Sequence, residues 1–424
     1  MSPAQTAALS PPKIKEQQAL GIARILLLSL PYAWISVFNS VLDNGLPVFL
    51  VAPIADGGLA LSFTAKGIVM AIDNILGLFL LPLFGKLSDR SQTRFGKRSP
   101  FIIIGGAGAV ITWAVTGLFL GMHAKWMFLI LLSSALGFIA ISRPASLSLL
   151  PDMTPLSQRR SANAITQIVS IVCTVVGILL VSIFAPKGYE TVFYGTSAVM
   201  LVLIVLYLFT VREKQWAAES AILMNEDSDA VQSTQSGNAS RFNRRMLLCV
   251  VFFFYVAYNG LVSSLSNYAM EVLHLSKDKF VLPQAMTLVM ACIVAVPVAK
   301  LSAKLRRKTS LLIGVATMGT AFTVAGLQSG LNALMFISFL LVGVGFAAVI
   351  VNLYPYMLEL SDPDKIGSST GVFNTVMTLA MVLTPIMSGW LSDQIGIIIL
   401  FPYCIAALAL SLLALVCMKD KKTG

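Results

Sequence analysis

Long apolar runs recur along almost the whole chain, with short polar breaks between them. Runs of this length, 18 residues or more, predict transmembrane helices. Apolar residues make up 57% of the 424 positions and charged residues only 12%, about half the charge of a soluble domain, which excludes a soluble enzyme. We therefore predict an all-α membrane protein with twelve transmembrane helices, at residues 24–50, 64–85, 100–121, 127–150, 162–184, 192–211, 246–270, 281–301, 310–328, 333–358, 370–391 and 396–417.

The positive charges give the orientation of these helices. Most of the 30 lysine and arginine residues fall in alternate loops, around Arg90, Arg159, Arg244 and Lys304 and at the two ends of the chain. The positive-inside rule then predicts a multi-pass protein of the plasma membrane with both termini cytoplasmic. Because the basic residues are spread over many loops, the net charge of +11 does not indicate a nucleic-acid partner. The first 20 residues lack an apolar signal core and predict a short cytoplasmic tail.

The chain divides into two similar halves. A polar stretch at residues 213–245 is the longest one without an apolar run, and six predicted helices lie on each side of it. Residues 127–140 and 335–348 share Met, Phe, Leu, Gly, Phe and Ala at the same spacing. We therefore predict bundles at residues 1–212 and 246–424, joined by a cytoplasmic linker at 213–245. Two pseudo-symmetric six-helix bundles are the architecture of the major facilitator transporters.

No pattern in the chain indicates an enzyme. The five cysteines lie in apolar runs, neither of the two histidines has metal-ligand spacing, and no phosphate-binding loop is present. We expect no cofactor and no bound metal, so uphill movement of a solute must use an ion gradient.

The segment between the second and third helices carries the strongest motif. It reads Gly85-Lys-Leu-Ser-Asp-Arg90, followed by Arg94-Phe-Gly-Lys-Arg-Ser-Pro100. In this form the segment resembles the corresponding loop of the glycoside-pentoside-hexuronide:cation symporters, within the major facilitator superfamily, and more closely that of their sucrose-transporter-like relatives. The stretches around Asp73-Asn74, Arg143-Pro144 and Arg159 look similar to the same group. The resemblance implies a gating loop with the residues Gly85, Asp89, Arg90, Arg94, Gly96 and Arg98.

Ionisable groups at membrane depth are the best candidates for function, since each is costly there unless it is paired or wet. Asp73 lies roughly 18 Å and Arg143 roughly 12 Å from the basic ends of their helices, at 1.5 Å per residue, so the two can pair. The pair is either a static helix-to-helix contact or a coupling site, in which Asp73 binds the proton. Asp43, the second candidate for binding the coupling cation or proton, lies near the outer interface, roughly 28 Å along the first helix, and either stays there or faces a cavity.

Amide and hydroxyl groups on several helices suit a sugar, with Arg143 as a further donor. The family's sodium-dependent members carry an acidic residue on helix four and a lysine on helix eleven, and this chain has neither, so we expect H⁺ as the coupling ion. We predict a symporter for a disaccharide-sized sugar or glycoside, active as a monomer among membrane lipids. A drug or metabolite exporter and a non-transporting receptor are the alternatives. The candidate substrate-binding residues, besides Arg143, are Asn39, Asn74, Asn163, Gln167, Asn259, Ser263, Asn267, Gln284, Asn352, Tyr354 and Asn374.

Overall fold

The computed structural model of the protein describes residues 21–155, 158–217, 219, 241–302, 304–330, 332–361 and 366–418, except the side chains of Arg160, Arg241 and Ile366. These ranges are helical and contain no β-strand. The predicted N-terminal tail and most of the linker at 213–245 lie outside the described residues.

Twelve helices in the described ranges are long and apolar enough to cross a membrane, which confirms the predicted fold class. The first half contains α1 (Ile22–Leu28), α2 (Leu30–Asn44), α3 (Leu46–Val51), α4 (Phe63–Arg90), α5 (Ser99–Gly121), α6 (Lys125–Asp152), α7 (Arg159–Phe184) and α8 (Tyr189–Thr210). The second half contains α9 (Arg241–Glu271), α10 (Leu282–Ser302), α11 (Arg307–Gly326), α12 (Ala333–Glu359), α13 (Ile366–Ile395) and α14 (Leu400–Cys417).

The first spanning segment is interrupted, whereas the sequence predicts one helix over residues 24–50. The breaks fall at Ser29 and Gly45, and Pro31 and Pro47 stand in the first turns of α2 and α3. Proline has no N–H to donate, so it interrupts the hydrogen bonds of the preceding turn and is tolerated where a helix begins. The spanning part is therefore α2 with α3, and α1 precedes it.

Each half packs its own apolar core. One cluster runs from Leu247 to Met418 in the second half, and two clusters fill the first half. Ala269, Phe280 and Val281 are the exceptions, because they belong to the second half but pack into a core of the first. Two separate cores allow two bundles to move as units, and these three residues mark where the bundles touch.

The basic clusters lie at one end of the molecule, which we call the basic end. The bundles are joined at the opposite end, which we call the far end. Asp393 at the end of α13 accepts hydrogen bonds from the backbone N–H groups of Phe63 and Thr64, both at 2.8 Å, at the start of α4. Lys66 of α4 donates to the Ser263 carbonyl and the Ser264 hydroxyl of α9, both at 3.1 Å. We call these contacts the far-end seal.

Two glycines let α4 and α13 cross closely within the seal. A Cβ at position 67 would lie 2.0 Å from the carbonyl oxygen of Pro385, and one at position 389 would lie 2.2 Å from that of Phe63. No side chain fits at such distances, so Gly67 and Gly389 set how closely the bundles approach.

Toward the basic end, polar side chains of both bundles are exposed among the described residues. On α7 the side chains of Asn163 and Gln167 are exposed, and on α13 those of Asn374 and Thr375 are exposed as well. Among the described residues, the bundles are therefore sealed at the far end, and polar side chains of both are exposed toward the basic end.

We expect Gly67→Ala to loosen the far-end seal, because the added methyl group displaces the Pro385 carbonyl. Gly371→Ala on α13 is the matched control, since nothing lies within 4 Å of that Cβ position. A cysteine at Ala269, fully buried where the bundles touch, serves as reporter for labelling by a water-soluble maleimide. Labelling should rise several-fold in the Gly67→Ala protein and stay unchanged in the control. Equal labelling of both, with both proteins folded, would contradict this role for the close crossing.

Candidate functional site: a polar cavity between the bundles

A cavity with two connected lobes lies between the bundles. The lobes have volumes of about 180 and 170 Å³, and both are lined by Asn39, Asp43, Tyr258 and Val262. We name the first the Asp43 lobe and the second the Asp73 lobe. The Asp43 lobe is also lined by Ser36, Ser40, Asn44, Ser170, Thr174, Gln284, Thr287, Leu288, Ala291 and Phe346. The Asp73 lobe is also lined by Leu42, Met70, Asp73, Asn74, Arg143, Asn259, Ser263, Met381 and Pro385.

An ion pair joins three helices in the Asp73 lobe. Arg143 of α6 approaches the Asp73 carboxylate of α4 at 3.5 Å and donates to the amide oxygen of Asn39 on α2 at 3.1 Å. Both charged side chains are largely buried, with 20% and 17% exposed. The structure thus brings together the two groups that the sequence pairs by their depth. At 3.5 Å the Asp73 contact is longer than the ~2.7–2.9 Å of a strong charge-assisted hydrogen bond, so a ligand can enter between the partners.

Asp43 faces the cavity and lines both lobes. The sequence leaves two positions open for Asp43, and the structure places it at the cavity. Its carboxylate forms no hydrogen bond or ion pair with the other described residues. The shared wall also contains Tyr258, whose ring stacks on Phe346 with centroids 4.3 Å apart. The cavity therefore combines an ion pair, a single carboxylate and an aromatic surface.

The polar stripe of α9 is divided between the cavity and the seal. Asn259 and Ser263 line the Asp73 lobe, and Asn259 donates to the Met381 carbonyl at 2.8 Å. Asn267 is buried instead at the far end, where it donates to the Pro47 carbonyl at 3.1 Å and lies 3.5 Å from the Lys66 amine. The i, i+4 spacing places these side chains on one helix face, but that face runs from the cavity into the seal.

The other candidate residues take different positions. Asn74 lines the Asp73 lobe and Gln284 the Asp43 lobe. Asn163 and Gln167 line a separate pocket of the first bundle toward the basic end.

Besides Asn163, Gln167 and Asn267, three further candidates do not line the cavity. Asn352 is fully buried and bonds to the Ser302 hydroxyl and the Arg307 guanidinium at the basic end. Tyr354 contacts Thr370, and Asn374 is exposed on α13. Asn352 thus ties α10, α11 and α12 together and does not line the cavity. The sequence could not show this, because hydropathy gives the depth of a residue but not its direction around the helix.

The gating-loop motif forms a network within the first bundle. The Arg98 guanidinium contacts Asp89 at 2.7 Å, Ser88 at 2.8 Å and Asp152 at 2.8 Å, which joins α4 to α6. Glu213 accepts hydrogen bonds from the backbone N–H groups of Lys97, Arg98 and Ser99 at the start of α5.

The glycines and the remaining arginines of the motif have simpler surroundings. Gly96 has φ +117°, and a Cβ there would meet the Glu213 carboxylate at 2.4 Å, so glycine is required. Gly85 lies beside Pro144. Arg90 and Arg94 are exposed. The loop therefore braces the first bundle at its basic end.

Sequence reasoning missed three features of this region. It did not single out Lys66, which is fully buried in the first turn of α4. It did not single out Asp393 or the Tyr258–Phe346 stack. The repetition of Gly-x-Leu-Ser-Asp at residues 85–89 and 389–393 was an available signal for Asp393, whereas nothing in the sequence shows that two distant aromatic rings stack.

Comparisons with known proteins agree with this architecture. The family model of the Major Facilitator Superfamily matches residues 33–385 and, in a second match, residues 247–423. No curated protein matches the chain significantly. Solved structures share the fold at low identity.

Three of these structures illustrate the likeness. A mutant of the nucleoside transporter NupG has 13% identity and a TM-score of 0.72, over 93% of this chain and 100% of that one. A POT family transporter in complex with 5-aminolevulinic acid has 12% identity and a TM-score of 0.70, over 92% and 95%. A bacterial homologue of the iron transporter ferroportin, in an inward-facing state, has 14% identity and a TM-score of 0.70, over 95% and 100%.

The family match covers most of the chain, and the twelve spanning helices in two bundles are what that family requires. It places the protein among transporters and not among enzymes. The chain is a multi-pass membrane protein that belongs to the Major Facilitator Superfamily.

Proposed function

We propose that the protein is a proton-coupled symporter for a sugar or glycoside and works by alternating access. The observation that carries the proposal is the cavity between the bundles, where an aspartate–arginine pair shares one polar space with amides, hydroxyls and an aromatic stack. By the positive-inside rule the basic end is cytoplasmic, in the plasma membrane, so the end opposite the far-end seal faces the cytoplasm. A single chain contains both bundles, which supports a monomer as the working unit.

The cavity suits a small hydroxylated solute. The combined volume of its two lobes lies near the lower end of the ~300–1,000 Å³ typical of small-molecule sites. This volume fits one or two sugar rings. The stacked rings of Tyr258 and Phe346 offer a face for the apolar side of a sugar ring. Asn74 and Asn259 use their N–H groups on the Met381 carbonyl and keep their amide oxygens for ligand hydroxyls.

The exporter alternative has less support from the cavity. A site for hydrophobic drugs needs a wide apolar pocket, whereas the lobes are small and carry three charged side chains. A non-transporting receptor needs no charges at membrane depth, where each charge is costly.

Coupling follows from the Asp73–Arg143 pair. A sugar hydroxyl that binds the Arg143 guanidinium draws it away from Asp73 and leaves a carboxylate without its partner at membrane depth. Such a carboxylate gains by taking a proton. Sugar and proton then favour each other's binding, since any coupling between two sites is reciprocal. A potential of 100 mV supplies about 2.3 kcal/mol per charge, or roughly fifty-fold accumulation.

We expect Asp73→Asn to abolish uphill accumulation, because the amide cannot carry the proton. The test uses proteoliposomes with an imposed proton gradient and the best-transported member of a panel of sucrose, maltose, lactose and cellobiose. Sugar exchange across the membrane should persist, since that step needs no net proton movement. Asp56→Asn is the matched control, an exposed far-end carboxylate that should leave accumulation at the wild-type level. Accumulation by Asp73→Asn equal to the wild type would rule out Asp73 as the proton site.

We expect Arg143→Ala to weaken sugar binding about tenfold or more, the usual effect of losing a hydrogen bond from a charged donor. Arg143→Lys keeps the charge but loses the planar fork of donors, so its binding should be intermediate. Arg306→Ala removes an exposed arginine at the basic end and serves as the control. Equilibrium binding to purified protein measures all three, and unchanged affinity in Arg143→Ala would show that Arg143 does not contact the sugar.

A further inference from the structure

The charges around the cavity do not balance. Asp43, Asp73 and Arg143 are the charged side chains that line the two lobes. Arg143 is committed to Asp73, with Asn39 as its second partner. Asp43 has no ion pair of its own among the described residues, because the Arg143 charge that acts on it is shared with Asp73. A carboxylate at this depth is costly without a partner.

The serine and threonine hydroxyl groups of the Asp43 lobe have no hydrogen to offer a ligand. Ser36, Ser40, Thr174 and Thr287 each donate to a backbone carbonyl, at 2.8 to 3.1 Å, and a hydroxyl has only one hydrogen. Ser170 lies 2.7 Å from the Ser36 hydroxyl and must be the donor there, because the Ser36 hydrogen is already used. The four carbonyl acceptors belong to Tyr32, Thr174, Ser170 and Pro283, in that order. What these five groups offer toward the lobe is lone pairs.

Two amide oxygens of the same lobe accept no hydrogen bond from the described residues. The Asn44 side chain is 4% exposed, and its N–H group donates to the Ser40 carbonyl at 2.7 Å, which fixes its orientation. Its amide oxygen is buried and accepts nothing, and the same holds for the amide oxygen of Gln284. A buried acceptor without a donor is destabilising, because it has lost its bonds to water and gained none in return. The lobe therefore needs a ligand with N–H or O–H donors.

The aromatic surface adds a preference for positive charge. Tyr258 and Phe346 form one wall of the lobe, stacked at 19° between ring planes. The face of an aromatic ring attracts a cation placed over it, most strongly away from water. A carboxylate, unpartnered acceptors and an aromatic face together recognise an ammonium group.

From these contacts we infer that the substrate carries a protonated amine, which binds in the Asp43 lobe while its hydroxyls occupy the Asp73 lobe. The substrate class is then an amino sugar or an aminated glycoside, and Asp43 is a substrate-binding residue while Asp73 carries the proton. The inference rests on the proposed sugar transport and specifies the substrate of the same cavity.

Three disaccharides of the same backbone test the inference at pH 6.5, where amines of this type are protonated. Cellobiose is neutral, its diamino counterpart chitobiose is cationic, and diacetylchitobiose is neutral again with nitrogen at the same positions. We expect chitobiose to bind the purified wild-type protein at least tenfold more tightly than either neutral sugar. Asp43→Asn should remove that preference, so that the variant binds chitobiose no more tightly than it binds diacetylchitobiose. Asp56→Asn should retain it.

The possible outcomes are distinct. Equal affinity for the three sugars would overturn the amine inference and leave sugar transport standing. No binding of any of the three would overturn the amine inference, and no binding of sucrose, maltose or lactose either would overturn sugar transport as well. A gain in thermal stability from Na⁺ relative to a salt-free buffer of equal osmolarity, lost in Asp43→Asn and without a preference for chitobiose, would assign the lobe to a metal cation and also overturn the inference. Asp43→Ser, which removes the carboxylate without adding an N–H donor, repeats the test if Asp43→Asn does not fold.

Discussion

The cost of placing charge inside a bilayer is the constraint on which the rest of this structure depends. Each ionised group at membrane depth needs a partner, a set of hydrogen bonds or water. Lys66 is fully buried and takes its acceptors from α9, across the boundary between the bundles. Arg143 takes its partners from α4 and α2, within the first bundle. Lys66 therefore forms its contact in the far-end seal, and Arg143 forms its contacts in the cavity.

The seal and the cavity together describe one state of an alternating-access cycle. Asp393 caps the start of α4, and two glycine crossings bring α4 and α13 into close contact at the far end. The same two helices present exposed surfaces toward the basic end. Because each bundle has its own core, rocking breaks only the contacts between bundles and leaves the cores intact. The bonds of Lys66 and Asp393 are among those that such a movement must exchange for others.

Much of the architecture could be predicted from the sequence, because hydropathy and charge distribution report directly on membrane depth. The twelve helices and the closeness of Asp73 to Arg143 both rest on depth. The direction in which a side chain points around its helix cannot be predicted from depth. Asn352 was expected in the cavity but bonds to Arg307 within the second bundle.

The breaks in the first spanning segment and the position of Lys66 depend on local hydrogen bonds and on contacts between distant helices. The polar character of Asn259 and Asn267 is visible in the sequence. Only the three-dimensional arrangement shows that one faces the cavity and the other the seal.

The central claim is that sugar and proton cross together through the cavity that contains Asp73 and Arg143. The most direct measurement follows internal pH in proteoliposomes loaded with a pH-sensitive dye, when an inward sugar gradient is imposed without any ion gradient. Coupled entry predicts internal acidification that accompanies sugar uptake and disappears in the absence of sugar. Sugar uptake by the wild-type protein with no change in internal pH would contradict the claim.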